Sequence, residues 1–272
     1  MFEKGKEDII EYCFRFMISK DMRLLFLDEH NIIISTKSLS AQKAAALLRN
    51  KKEFTITLDQ VRDFSRRNWN PTNIKQHIKS LTSGLLKGHN WHGAMPSFLH
   101  LSFQNKVREY CAGKISLKEY IEIGTDIARQ EFYIVVTHDL CESQVTLSFS
   151  DAIPSIANRS VSDFIFKEMP YDLKNSGIPN GWTLKEARKD PLKFAKSLYE
   201  GADKERLRKQ AEKSINDWGL NRFYVIVDDL EQWINDPEKL LDKIIKECKK
   251  LDKPLRFHID GLTILCHIVF ID

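Results

Sequence analysis

The chain has 272 residues, 42% of them hydrophobic and 10% aromatic, and a formal net charge of +4. That composition supports one large or two ordinary globular domains and excludes a disordered chain. The five cysteines, Cys13, Cys111, Cys141, Cys248 and Cys266, form no Cys-x-x-Cys pair, which argues against a disulfide framework or zinc ribbon and for a reducing compartment. The N-terminus carries acids where a signal peptide needs an apolar run, and no window approaches about 18 uninterrupted apolar residues, so a cytoplasmic protein without a membrane span is expected. No P-loop, dinucleotide fingerprint, GxSxG, HExxH or EF-hand pattern occurs, so no organic cofactor is expected.

In chain order, residues 6–19 carry Ile9, Ile10, Cys13, Phe14 and Met17 at helical spacing. Residues 23–27 and 32–35, two apolar runs around Asp28-Glu29-His30-Asn31, predict a β-hairpin. Residues 40–49, with three consecutive alanines, predict a helix. Thr57 with Gln60 three residues on is a capping box for a helix to about residue 67. Asn68-Trp69-Asn70-Pro71-Thr72 is turn chemistry, because Pro71 fixes its own φ and pushes Asn70 out of the helical region. Over residues 73–83 Ile74, Ile78 and Leu81 share one helical face, leaving Lys75, Gln76 and Lys79 largely on the other.

A helix, an Asn-Pro turn, a second helix closed by Gly84, then an expected hairpin over 87–102 with His89, Trp91 and His92 at its tip and 98–103 returning: over residues 38–103 this resembles a winged helix-turn-helix. The resemblance implies groove contacts from Lys75, Gln76 and Lys79 and wing contacts from Lys87, His89 and His92. Arg66 and Arg67, closing the first helix of the pair, join them as candidate nucleic-acid contacts. Charge supports this independently. Residues 39–103 hold ten basic and three acidic side chains, a local +7 in a chain of +4, and such an excess is what phosphate neutralisation needs.

Beyond the wing, residues 105–112 and 116–130 predict helices, the second opened by Ser116 and Glu119; the stretch 113–136 resembles part of a bacterial family described as phage-envelope-like. Residues 132–137 and 145–149 predict strands around a turn at 138–143. Residues 151–182, punctuated by Pro154, Pro170, Gly177, Pro179 and Gly181, are expected to be a domain connection or functional loop. Residues 183–216 predict charged helix, 223–227 a strand buried on both faces, 238–251 a helix after Asp236-Pro237, and 255–259 with 262–271 a hairpin about Asp260-Gly261. Helix followed by two strands thus recurs at 6–35, 116–149 and 238–271. The expectation is an α+β protein: a mostly helical, winged-helix-like region over 1–103 and a mixed α/β region with β-hairpins over 104–272.

The leading function on these residues is nucleic-acid binding, DNA foremost, by a regulator or a mobile-element or phage-related protein whose C-terminal part dimerises or senses a ligand. The second reading is an enzyme. Asp228 and Asp229 at the end of strand 223–227, with Asp260, would hold a divalent metal for nuclease chemistry, although no Glu-x-Lys pair follows in phase. Alternatively Cys141, activated by His138, would serve a Cys/His hydrolase, as in a bacterial effector. The third is a protein-interaction module whose partner covers residues 170–182.

Overall fold

The computed structural model describes residues 2–32, 39–50, 55–71, 97–131, 138–157, 161–200, 204–212, 216–230 and 232–272. Its elements are α1 (Glu7–Tyr12), continued by a π-helical turn (Cys13–Met17), α2 (Lys20–Glu29), α3 (Ala41–Asn50), α4 (Leu58–Asn68), α5 (Ser97–Cys111), α6 (Leu117–Glu131) and α7 (His138–Ser148). Strands β1 (Ile153–Pro154), β2 (Phe164–Phe166) and β3 (Met169–Gly177) follow, then α8 (Leu184–Lys189), α9 (Pro191–Glu200) and α10 (Lys204–Glu212). The chain closes with β4 (Arg222–Val227), α11 (Gln232–Asn235), α12 (Pro237–Cys248), β5 (Leu255–Ile259) and β6 (Leu262–Ile271). Helices gather in the N-terminal half and strands in the C-terminal half, an α+β fold. Among the described residues no helix is long and apolar enough to cross a membrane.

The strands form one mixed sheet in the order β1-β2-β3-β4-β6-β5. β1, β2 and β3 are an antiparallel meander, β3, β4 and β6 are parallel, and β5 returns antiparallel on β6. Register sorts side chains cleanly between two faces. Leu173, Phe223 and His267 lie abreast on one face, and Asp172, Arg222 and Cys266 abreast on the other. The first face buries Phe223, Val225, Val227, Val269 and Ile271 against Leu140, Cys141 and Val145 of α7 and Leu240, Ile244 and Cys248 of α12. Against the second lie Leu184, Ala187 and Phe194 of α8 and α9, with Ile226 beneath them. Phe223 is fully buried and meets the rings of Phe164, Tyr171 and His267; truncation of such a ring to alanine costs about 3–5 kcal/mol.

Local chemistry sets the element ends. Thr57 Oγ1 accepts from the Gln60 N–H while the Gln60 side chain accepts from the Thr57 N–H, the expected reciprocal cap of α4. Ser116 and Glu119 cap α6 in the same way. Asp236 accepts from the Lys239 N–H and Pro237 opens α12. Asp260 and Gly261 turn the β5–β6 hairpin at φ 49° and 83°, the two left-handed residues that a right-twisted hairpin requires.

The N-terminal helices do not stand apart from the sheet. Ile153 of β1 and Ile165 of β2 belong to the cluster that buries Ile10, Phe14, Phe26 and Phe64. Single parallel bridges join Phe2 to Ile56 and Ile18 to Ile156. Arg66 on α4 donates Nε to the Ala152 carbonyl at 2.9 Å and a terminal nitrogen to the Phe149 carbonyl, tying α4 to the chain between α7 and β1.

Several expected elements differ. Residues 23–27 lie in α2, where Arg23, Phe26 and Leu27 are buried at three- and four-residue steps instead of alternating. Residues 138–149, expected as turn and strand, are α7 and its end. Val145, Leu147 and Phe149 imitate strand alternation, yet Leu147 is 48% exposed while Cys141, Val145 and Phe149, four apart, are buried. Residues 98–103 belong to helix α5 rather than a returning wing strand; the expected second helix and the wing tip, and strand 132–137, lie outside the described residues. The stretch 151–182 holds β1, β2 and β3. Of the three helix-then-hairpin units, α12-β5-β6 has that form among the described residues.

Candidate metal centre

β2 pairs with β3 over only three residues, from Phe164↔Tyr171 to Phe166↔Met169. The turn between them, Lys167-Glu168, is left-handed at both positions, φ 48° and 62°. Where β2 ends, side chains take over the ladder. Asp163 donates its N–H to the Tyr171 carbonyl at 2.9 Å, and its Oδ2 accepts the Leu173 N–H at 2.7 Å. The Leu173 carbonyl accepts from His138 Nε2 at 3.1 Å, which leaves Nδ1 towards Asp139 Oδ1 at 3.4 Å and Glu142 Oε2 at 3.9 Å. Ser162, immediately before Asp163, is held by the Tyr12 hydroxyl at 2.7 Å. The N-terminal helices therefore help to fix this corner of the sheet.

Alternation along β3 puts Asp172 and Lys174 on one face, with Leu173 turned to the other. Lys174 Nζ donates to Asp172 Oδ1 at 2.6 Å, and Arg222 Nε to Asp172 Oδ2 at 3.2 Å. Arg222 is buried and also donates to the Gly219 and Asn221 carbonyls at 2.9 and 3.0 Å. Its charge is thereby fixed in place as the anchor of Asp172. Among the described residues, metal-ligating atoms within 4.8 Å of one another occur in two groups sharing one imidazole: His138, Asp163 and Asp172, and His138, Asp139 and Glu142.

The electrostatics of the cluster follow from crowding carboxylates in a half-buried corner. Burial, and next the charge of Asp163, pushes the Glu142 pKa up to about 8. Burial, and next Asp172, pushes Asp163 up to about 6. Burial alone would lower His138, but its hydrogen bond to Asp139 and the charge of Asp163 outweigh that and raise it. Burial is thus the main reason that these carboxyls hold their protons, and the neighbouring carboxylates add to it. Hard oxygens with one imidazole suit Mg²⁺ or Mn²⁺. Beside Asp139 and Glu142 a cleft of about 300 Å³ opens towards Asn68, Trp69 and Asn70 at the end of α4.

The structure separates the acids expected to share a metal. Asp228 follows the last residue of β4, its N–H on the Ile271 carbonyl at 2.9 Å, whereas Asp260 turns the β5–β6 hairpin at the start of β6. The ten residues of β6 lie between those levels, about 30 Å at about 3.3 Å per residue. Asp229, in the loop after Asp228, is exposed like both of them. Cys141 is fully buried among core side chains, and burial pushes its thiol pKa well up, the reverse of an activated nucleophile. His138 does sit at a site, beside carboxylates instead of that thiol. Of the candidate nucleic-acid contacts, Arg66 is spent on backbone carbonyls and Arg67 pairs with Glu29 at 2.7 Å; Lys75, Gln76, Lys79, Lys87, His89 and His92 lie outside the described residues.

Sequence reasoning missed Glu142, Asp163, Asp172 and Lys174. The signal was present as an Asp-x-Lys step within Tyr171–Asn175, with Asp163 upstream of it, but the prolines and glycines of 151–182 pointed to a loop. No protein-family model, curated protein or solved structure matches this chain.

Proposed function

We propose that the protein is a divalent-metal-dependent nuclease that hydrolyses phosphodiester bonds at the corner where β2 leaves β3. The observation that carries this reading is the convergence of Asp163, the Asp172–Lys174 pair and His138 at that corner, with Asp172 held by buried Arg222. Asp163 and Asp172 would hold the cation, with His138 beside it. A bound cation supplies Lewis acidity, drawing electrons from the scissile phosphate and acidifying a water.

The protein's own groups do the rest. Lys174, steadied on Asp172, offers an ammonium to the charge that grows on the non-bridging oxygens. The water oxygen forms a bond to phosphorus, the ester P–O bond breaks, the attacking water's proton passes to a neighbouring base or to solvent, and the leaving oxygen takes a proton from solvent. The products are a phosphate monoester and an alcohol. The local +7 of residues 39–103 favours a polyanionic substrate over a small neutral one, which unites the nucleic-acid and nuclease readings of the sequence.

The test is cleavage of labelled DNA and RNA, single-stranded and duplex, with Mg²⁺, Mn²⁺ or EDTA. Cleavage that needs Mg²⁺ or Mn²⁺ and is lost in both Asp172→Asn and Lys174→Ala is the expected result. Absence of cleavage with every ion and substrate, or full activity in Asp172→Asn, would overturn the reading.

A further inference from the structure

The cleft beside the carboxylate cluster has a lining that hydrolysis does not require. Trp69 is the first residue after α4, and its backbone is extended at φ −86° and ψ 137°. The indole is half-buried, and among the described residues no other ring packs on it. Its neighbours are amides. Asn68 spends its Nδ2 on the Phe64 carbonyl at 2.9 Å and keeps its side-chain oxygen, while Asn70 is exposed. Asp139 and Glu142, which form one metal-ligating group with His138, line the same cleft. An aromatic plane, amide groups with donors and acceptors, and the carboxylates of Asp139 and Glu142, whose group shares His138 with Asp163 and Asp172, therefore line one continuous space of about 300 Å³. That is the lower end of small-ligand clefts, roughly 300–1,000 Å³.

We propose that this cleft is a nucleobase subsite in which an unpaired base stacks on Trp69, its edge is met by Asn70, and the adjoining phosphate reaches the carboxylate corner. The substrate class is then single-stranded or locally unpaired nucleic acid. A base inside a duplex is already stacked on both faces and cannot lie on the indole without being turned out, whereas an unpaired base has a free π face and free edges. Sequence preference at this position is weak, because every base offers a π face. The inference rests on the nuclease reading for the direction of the phosphate, but not for the stacking itself.

The experiment separates the two. Fluorescence anisotropy would be measured with a labelled phosphorothioate single strand, which resists cleavage, with the same strand carrying abasic sites, and with its duplex, in calcium buffer. Turnover would be followed in manganese on bis(p-nitrophenyl) phosphate, a phosphodiester without a base. Wild type should bind the single strand more tightly than the abasic strand. Trp69→Ala should weaken single-strand binding about tenfold to a hundredfold, with Trp69→Phe closer to wild type, Asn70→Ala between them, and turnover of the baseless diester unchanged in all three. An abasic strand that binds as tightly as the intact one, or equal single-strand affinity in wild type and Trp69→Ala, overturns the subsite. The abasic comparison needs no variant and stands even if Trp69→Ala fails to fold. Turnover without base-dependent binding sinks the subsite alone, and base-dependent binding lost in Trp69→Ala without turnover sinks the nuclease alone.

Discussion

Asp172 lies within β3 and Asp228 lies just past the end of β4, the strand beside it. Asp172 faces a buried arginine, a lysine two residues along its own strand, and Asp163 from the strand that pulls away. Asp228 is exposed, and Asp260, its expected partner, turns a hairpin at the far end of β6. Only Asp228 fits the idea of an acid at a strand end. What distinguishes them is neighbours: a carboxylate becomes a plausible cation ligand when a second strand, a helix end and a buried counter-charge hold other ligands within reach.

The sharpest way to break this comparison is exchange of the two acids for asparagine. Asp172→Asn and Asp163→Asn should each lower metal-dependent hydrolysis about a hundredfold to a thousandfold, the range for removing one charge-stabilising group. Asp228→Asn should leave the rate within about twofold, since an exposed substitution away from the site changes little. Equal losses in kcat/KM at both positions would mean that the wrong corner has been identified.

Stability gives the next largest effect, and its sign follows from the raised pKa values. Without metal, Asp163 and Glu142 contribute stability that is complete below their unfolded values, about 3.9 and 4.3. It is lost as pH rises through about 6 for Asp163 and about 8 for Glu142. The cation binds the deprotonated forms, so the rise in Tm on adding Mn²⁺ should grow from about pH 5.5 to about pH 8.5. At one hundred times Kd the added stability is about 2.7 kcal/mol. A metal-induced Tm shift that shrinks over that range contradicts the assignment. Glu142→Gln should raise the metal-free Tm near pH 8 and flatten its pH dependence, which thermal melts across the range would show.

Smaller effects sharpen the contrast between core and site. Cys141→Ala should cost about 1–3 kcal/mol in denaturant unfolding and leave the rate alone; a lost rate at intact fold would restore the thiol to the chemistry. Leu147→Ala should change stability by no more than about 0.5 kcal/mol, because α7 turns that side chain outward. A cost of several kcal/mol would favour the strand that its alternation imitates.

What could be read from sequence was local. The Thr57–Gln60, Ser116–Glu119 and Asp236–Pro237 starts and the Asp260–Gly261 turn are decided by residues within one turn of each other, and all four stand in the structure. The β2–β3 hairpin was hidden because Lys167 and Glu168 hold its two left-handed positions, where Asn-Gly or Asp-Gly would announce a turn. α7 was hidden because Val145, Leu147 and Phe149 alternate. Its helical face shows only when Cys141, Val145 and Phe149 are matched to Phe166 and Phe223, far along the chain. The site is the least local feature of all. Asp163 and Asp172 meet through that unannounced hairpin, and His138 reaches them only because residues 138–143 are helix rather than turn.

The substitution of side chains for backbone partners at Leu173 has a consequence for solubility. Past Asp163, the outer edge of β3 has no strand beside it among the described residues, and an uncovered edge is a template on which another chain can add a strand. Asp163 occupies the Leu173 N–H and His138 occupies its carbonyl, so two residues of the candidate metal centre also stopper the edge. Alanine at both positions would remove the stopper together with the chemistry, leaving an inactive protein that self-associates. Asparagine at 163 and glutamine at 138 keep hydrogen-bonding groups there and separate the two losses. Size-exclusion chromatography of the two double variants reads the edge, and hydrolysis reads the site.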